Sequence, residues 1–161
     1  MGGSGDGGLI SSRLQELQKV AEENLKAGAS GQRRHVFISF AMEDLNDVNL
    51  FRGQAKNDNS GLAFNDFSLR ESFDSKNADY IRSGIRERIR QSSATVVYVS
   101  EQTANSKWVD WEIRESIKLG KQVFCVHKGD APPKTLPSAV KELKLKVVPW
   151  NHDAIMKELN E

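Results

Sequence analysis

Short apolar runs that alternate with amphipathic helical segments fill the sequence after residue 33. The clearest run, residues 94–99, is rich in β-branched and aromatic side chains and predicts a buried central strand. A helical pattern follows at residues 107–119, is ended by Gly120, and leads into the next apolar run at residues 121–127. This repeated order of strand and helix predicts a parallel sheet with helices on both faces.

The same alternation extends over the rest of this segment. A chain of 161 residues with 38% apolar side chains can bury one core of this kind. We therefore predict a single α/β domain, a three-layer sandwich around a five-stranded parallel sheet. Further strands are predicted at residues 35–40, 62–67 and 145–148, and further helices at residues 43–56, 78–91 and 152–159.

Residues 1–32 are predicted to form an appendage to this domain. Residues 1–8 are nearly all Gly, Ser and Asp, which predicts a disordered tail. Apolar residues then recur at helical spacing over residues 10–25, and residues 27–32 have the composition of a flexible linker. The apolar stripe of this helix needs a partner, either its own domain or a second copy of the chain. The domain itself is expected at residues 33–161.

The charge balance argues against several classes of partner. The 23 basic and 22 acidic side chains leave a formal charge of +1, which gives no field that would attract nucleic acid or an acidic membrane surface. No apolar stretch approaches the roughly 20 residues that span a bilayer, and no signal-peptide pattern is present. The one cysteine, Cys125, lies in an apolar run and is predicted to be a buried thiol. We expect a cytoplasmic location.

Several familiar kinds of site are excluded by their missing motifs. Neither GxxxxGK[ST] nor GxGxxG follows the first strand, so a Walker or standard Rossmann nucleotide site is not supported. His35, His127 and His152 lack metal-ligand spacing, and we predict no metal site. Ser100 ends the central strand where a response-regulator receiver would need an aspartate.

One carboxylate, Glu112, has an unusual setting. Trp108 precedes it by four residues and therefore lies on the same helix face, while Ile113 and Ile117 are predicted to form the neighbouring buried stripe. A carboxylate at the border of the core loses hydration and acts strongly on a nearby cation. The pattern alone favours a simpler interpretation, a surface glutamate paired with a base such as Arg114.

The helix predicted at residues 78–91 has two distinct faces. Its isoleucines, including Ile85, are predicted to be buried, as is Val97 of the central strand. Its arginines, Arg82, Arg86 and Arg90, are predicted to form a solvated face rather than an anion site.

Three motifs together resemble the TIR-like domains of bacteria and archaea, including those of the Thoeris antiphage defence system. These are VFISF at residues 36–40, TVVYVS at residues 95–100 and, as the most specific, WVDWEI at residues 108–113. The resemblance implies a flavodoxin-like, TIR-like fold. Residues 66–75 do not resemble the proline-containing loop of animal receptor TIR domains, which argues against receptor-type adaptor pairing.

The resemblance also implies an activity, cleavage of the bond between nicotinamide and ribose in NAD, with Glu112 as the catalytic carboxylate. NAD is then a substrate, and no cofactor is expected. By the same resemblance the pocket is walled by Trp108 and Phe40, and ribose or phosphate is contacted by Ser39 together with Asp66 or Ser68. Hydrolysis to ADP-ribose and cyclisation to a signalling product both remain open.

Two other functions remain open at this point. A TIR-like binding module could assemble with itself or a TIR-like partner without turnover, because fold alone does not fix function. Nucleoside deoxyribosyl transfer uses related chemistry on a related fold and ranks below both other readings.

Overall fold

The computed structural model describes residues 34–57, 62–65 and 72–161, together with residue 15. Apart from residue 15, the predicted tail, helix and linker of residues 1–32 lie outside the described residues. The part from Arg34 to Glu161 forms one compact unit. Within the described part, no helix combines the length and the apolar character that crossing a bilayer requires.

Five parallel strands form the sheet, in the spatial order β2-β1-β3-β4-β5. This result confirms the predicted five-stranded parallel sheet. The chain passes from β1 to its neighbour β2, crosses back to β3, and then proceeds outward in sequence order. The strands are β1 (Arg34–Ser39), β2 (Leu62–Asn65), β3 (Ala94–Val99), β4 (Gln122–His127) and β5 (Val147–Pro149).

Helices cover both faces of the sheet, which confirms the three-layer prediction. Their bounds are α1 (Leu45–Asn57), α2 (Ala78–Gln91), α3 (Lys107–Lys118), α4 (Ser138–Glu142) and α5 (His152–Asn160). Helices α1 and α5 pack on one face through an apolar cluster that includes Val48 and Ile155. Helices α2, α3 and α4 pack on the other face, through clusters that include Ile85, Ile113 and Val140.

Most of the predicted elements differ from their predicted bounds by one or two residues at an end, and helix α4 was not predicted. Strand β5 begins at Val147 rather than residue 145, and residues 66–67 of the predicted second strand lie outside the described residues. Helix α4 is a single short helix after Pro137, too short to produce a periodic signal. Its backbone N–H at Ala139 donates to the Asp110 carboxylate of α3 at 3.2 Å, a cap supplied from a distant part of the sequence.

The predicted burial of Ile117 is wrong, since this side chain is 41% exposed. Helix α3 instead presents Val109, Ile113 and Ser116 to the sheet, all of them fully buried. The buried face of α3 continues from Ile113 to Ser116, three residues later, and Ile117 lies at the edge of that face. Ser116, a polar residue, is therefore buried where the sequence pattern predicted the apolar Ile117.

The prediction of a solvated arginine face holds for Arg90, which pairs with Glu87 on its own helix. Arg82 and Arg86, by contrast, are half-buried and contact other elements. Arg86 pairs with Glu115 of α3 at 2.8 Å. Arg82 lies over the ring of Phe73, with 4.3 Å between its guanidinium carbon and the ring centroid. These two side chains join α2 to its neighbours.

The core accounts for the one cysteine. Cys125 is fully buried in the cluster on the α3 face, and this burial raises the pKa of its thiol to about 12. The thiol therefore stays protonated and packs as a small apolar group, as the sequence predicted.

The carboxyl ends of β1 and β3 are connected by polar side chains. Ser100, directly after β3, donates its hydroxyl to Asp44 at 2.5 Å, in the 3₁₀ turn that follows β1. Burial raises the pKa of Asp44; the hydrogen bond from Ser100 opposes this effect, while the charges of Asp47 and Glu43 add to it. These contacts fix the point at which the chain leaves the two central strands.

Truncation of Ile85 should strongly destabilise the domain, because its side chain is fully buried against the sheet. We expect Ile85→Ala to lower the free energy of unfolding by about 2–4 kcal/mol in chemical denaturation. Tyr80→Ala is the matched control on the same helix, because Tyr80 is 78% exposed. Its cost should stay within about 0.5 kcal/mol. Equal losses for both variants would contradict the assigned packing of α2.

Asp44 should make stability depend on pH. Its pKa in the folded protein lies above the ordinary value of 3.8, so the folded state holds the proton more tightly than the unfolded state. The contribution of Asp44 to stability therefore falls as pH rises from about 4 through the folded-state pKa. The stability of Asp44→Asn relative to the wild type should rise over the same interval and then level off.

Urea denaturation at a series of pH values measures this difference. Asp153→Asn, at an exposed position of α5, gives the background effect of removing one acidic group. If the free energy of unfolding of Asp44→Asn, relative to that of the wild type, falls as the pH rises, the assigned burial of Asp44 is contradicted.

Candidate active site

The central feature of the site is the Glu112 carboxyl group, which lies on α3 and is 0% exposed. Helix α3 begins behind Ser106, whose hydroxyl accepts the Val109 N–H at 3.2 Å and caps the first turn. From that start, Val109 and Ile113 enter the core cluster on this face of the sheet. Glu112 precedes Ile113 and is buried with it between α3 and the sheet. The interpretation as a surface glutamate is therefore wrong.

Ser39, the last residue of β1, donates its hydroxyl to Oε1 of Glu112 at 2.6 Å. Both side chains are fully buried. A short hydrogen bond to a carboxylate is stronger than one between neutral groups, and it fixes the orientation of the acceptor. Arg114, the base considered from sequence, pairs instead with Asp110 and Glu142. The structure thus joins Glu112 to the sheet.

A second buried polar contact holds the same helix to the sheet. Thr95 of β3 and Ser116 of α3 share a hydrogen bond of 2.8 Å between their hydroxyl oxygens. Ser116 also bonds the backbone carbonyl of Glu112 at 2.7 Å. These contacts fix the backbone of the residue that carries the carboxylate. Sequence reasoning missed Thr95 and Ser116, because each has the appearance of an ordinary polar residue in a strand or helix.

Trp108 lies one turn before Glu112, is nearly buried, and is covered by aromatic and cationic groups. The Phe73 ring contacts it edge-on, with 4.9 Å between centroids. Arg82 lies over the Trp108 ring at 5.6 Å and donates to the Phe73 carbonyl at 3.0 Å. Phe73 and Arg82 were not predicted to belong to the site, since no sequence signal connects them with Trp108.

A cavity of about 390 Å³ opens outside the carboxyl ends of β1 and β3, and Trp108 forms part of its wall. Other lining residues come from the turn after β1, the turn after β3 and the segment before α2; they include Met42, Gln102 and Phe73. In the order β2-β1-β3-β4-β5, the strands β1 and β3 are neighbours whose following helices lie on opposite faces. Ligands of open α/β sheets bind at such a switch point.

The predicted site residues are distributed unequally around this crevice. Trp108 lines the cavity, and Ser39 bonds Glu112 one helical turn from it, although neither Ser39 nor Glu112 is a lining residue. Phe40 is fully buried in the cluster on the α1 face of the sheet, so its predicted place in the pocket wall is wrong. Alternation along the chain explains the difference, because neighbouring residues of an extended segment point to opposite faces. Asp66 and Ser68 lie outside the described residues. Within the described part, no group of three or more His, Cys, Asp or Glu side chains has the geometry of a metal site.

Two solved structures match most of this chain at low sequence identity. The TIR domains of the activated Roq1 resistosome that recognises the effector XopQ match 77% of this chain and 68% of theirs, with 19% identity and a TM-score of 0.45. The CMP N-glycosidase BcmB of Clostridium botulinum matches 80% of this chain and all of its own, with 12% identity and a TM-score of 0.46.

Sequence comparison gives a more specific result. A region of 98 residues is 31% identical to ThsB1 of Bacillus cereus (strain MSX-D12), described as a candidate cyclic ADP-D-ribose synthase. This region covers 58% of the chain and 51% of the relative, so the chain matches about half of the relative's length. The family model described as the TIR-like domain of the Thoeris protein ThsB matches residues 37–132, more than half of the chain. This chain belongs to the Thoeris ThsB TIR-like domain family.

Proposed function

We propose that this domain cleaves the bond between nicotinamide and ribose in NAD, with Glu112 as the catalytic carboxylate. The observation that carries the proposal is the buried Glu112 carboxyl group, which Ser39 holds at 2.6 Å at the carboxyl end of β1, one helical turn from Trp108 of the cavity wall. The name of ThsB1 supports the substrate class, because a cyclic ADP-ribose is the compound that remains when NAD loses nicotinamide and closes on itself.

The first chemical step breaks the bond between C1′ of the ribose and the ring nitrogen of nicotinamide. Both bonding electrons leave with nicotinamide, which departs as a neutral molecule and needs no general acid. The ribose becomes an oxocarbenium-like cation. A carboxylate in a site shielded from water stabilises this developing charge more strongly than an exposed one would. Glu112 supplies that negative charge in our proposal.

The second step forms a new bond to C1′. In hydrolysis the oxygen of water attacks and loses a proton, giving ADP-ribose. In cyclisation a nucleophilic atom of the same molecule attacks and loses its proton, giving a cyclic product. The name of ThsB1 favours cyclisation. Either product would serve as a small-molecule signal in antiphage defence.

Contact between NAD and Glu112 requires the groups above the carboxylate to move, because the side chain is 0% exposed. Trp108 is the natural wall for the nicotinamide ring, since its indole lines the cavity and offers a stacking surface. Asp66 and Ser68 remain proposed contacts for ribose or phosphate. We propose that self-association of the domain opens the site. We also propose that the protein acts in the cytoplasm.

A non-catalytic assembly module is the second candidate function. The full burial of Glu112 favours it, because a carboxylate that never meets a ligand would behave as an internal hydrogen-bonding group of the fold. The two candidates make opposite predictions for Glu112 variants.

Glu112→Gln should abolish nicotinamide release from NAD, because it removes the charge and keeps the size of the side chain. The measurement is nicotinamide release at high protein concentration, followed by chromatography, with circular dichroism as the check on folding. Glu115→Gln is the matched control on the same helix; it removes a carboxylate that pairs with Arg86. The control should keep its activity. Full activity in Glu112→Gln would exclude the proposed role, and an inert wild type would favour the non-catalytic module.

Ser39→Ala tests whether Ser39 positions Glu112 or binds substrate. Loss of the 2.6 Å hydrogen bond frees the carboxylate, so we expect kcat to fall by about 10- to 100-fold with little change in KM. A direct contact with ribose or phosphate would instead raise KM. Ser39→Thr, which keeps the hydroxyl, should recover part of the lost kcat. A rise in KM alone would contradict the positioning role.

A further inference from the structure

A second cavity lies at the carboxyl edge of the sheet, and the proposed chemistry makes no use of it. Its volume is about 230 Å³, and its walls come from α1 and from the ends of β4 and β5. Helix α1 packs on the face of the sheet opposite α3. This cavity and the crevice beside Glu112 have no lining residue in common.

The aromatic part of the wall is rigidly held. Trp150 contacts Phe51 edge-on with 4.4 Å between ring centroids, and it contacts Tyr98 in the same way at 4.3 Å. Tyr98 is in turn fixed by a 3.2 Å hydrogen bond from its hydroxyl to Asp47. Trp150 itself is only partly buried and lines the cavity. A fixed, partly exposed indole is a good surface for stacking a flat heterocycle.

Gln54 supplies a hydrogen-bonding edge beside this aromatic wall. It follows Asp47 by seven residues on α1, so both side chains lie on the same helix face. Asp47 already accepts hydrogen bonds from Tyr98 and Lys128. Gln54 makes no hydrogen bond within the described part of the protein. Its amide offers one donor group and one acceptor, the pair that matches the amino group and ring nitrogen of adenine.

Cationic and imidazole groups lie on the β4 side of the cavity. The ammonium group of Lys128 lies 3.3 Å from Asp47, and the side chain is largely exposed. An exposed ion pair of this kind contributes little to stability, so Lys128 can bind a phosphate instead. His127 is 4% exposed, and its Nδ1 lies 3.4 Å from the Lys128 carbonyl oxygen. Nε2 has no hydrogen-bond partner within the described residues. Because Nδ1 faces a carbonyl oxygen and carries the proton of the neutral ring, Nε2 can accept a hydrogen bond from a ligand hydroxyl.

We propose that this cavity is a second, non-catalytic binding site for an adenine mononucleotide. The base stacks on Trp150 and bonds to Gln54, the phosphate meets Lys128, and a ribose hydroxyl donates to Nε2 of His127. The volume of about 230 Å³ lies below the roughly 300–1,000 Å³ of drug-sized ligand pockets, so it suits a mononucleotide better than a whole dinucleotide. The proposal rests on the cavity itself and stands whether or not Glu112 cleaves NAD.

Calorimetric titration of the full chain with AMP tests the site. Gln54→Ala and Lys128→Ala should each weaken AMP binding by about tenfold. Gln102→Ala and Lys107→Ala are the matched controls, because these residues line the crevice beside Glu112. They should leave AMP affinity unchanged, as should Glu112→Gln. UMP should bind more weakly than AMP, because its base lacks the amino group.

Tryptophan fluorescence provides a second measurement that locates the base. AMP should quench the emission, and Trp150→Phe should remove most of the quenching while Trp111→Phe does not. Gln54→Ala should still release nicotinamide if the catalytic proposal holds, so the two proposals can fail separately. Absence of AMP binding at millimolar concentration, equal binding of AMP and UMP, or loss of binding in Lys107→Ala but not in Gln54→Ala would overturn the second site.

Discussion

The hydrogen bond between Ser39 and Glu112 connects the first strand of the sheet to helix α3, and the arrangement of the site depends on it. An ionisable group without solvent exposure is costly to bury, and its neighbours must supply hydrogen bonds in place of water. An apolar side chain would fill the same space without that cost. A carboxyl group kept at the switch point of a parallel sheet despite this cost supports the catalytic role proposed for Glu112.

The surroundings of α3 hold this helix in one position. Thr95 bonds Ser116 beneath the helix, Arg86 pairs with Glu115 on one side, and Asp110 caps α4 on the other. Each contact joins α3 to a different element. A functional group carried on an element held at several points keeps its geometry more precisely than one carried on a loop. The polar contacts of α3 thus join the helix that carries Glu112 to three neighbouring elements.

Sequence patterns predicted the elements whose signal is local and left out the contacts that join distant residues. Strand β3 and helix α2 were predicted with the observed bounds, because an apolar run and a 3.6-residue period are visible in the chain itself. Ile117 was misplaced because a buried hydroxyl, Ser116, is stabilised by Thr95, which periodicity does not show. Glu112 was identified through its motif, yet its bond to Ser39 spans 73 positions and could not be read from spacing.

Two of the groups that cover Trp108, one turn before Glu112, contact it weakly. The edge-on contact of Phe73 with Trp108 and the position of Arg82 over the same ring each contribute about 0.5–2 kcal/mol. Whole domains are stabilised by about 5–15 kcal/mol, so displacing these side chains costs much less than unfolding. Phe73 and Arg82 can therefore move while Trp108 stays in the core cluster that it shares with Ile85. In the proposed reaction, groups that move aside for the substrate and close again would also shield the developing cation from water.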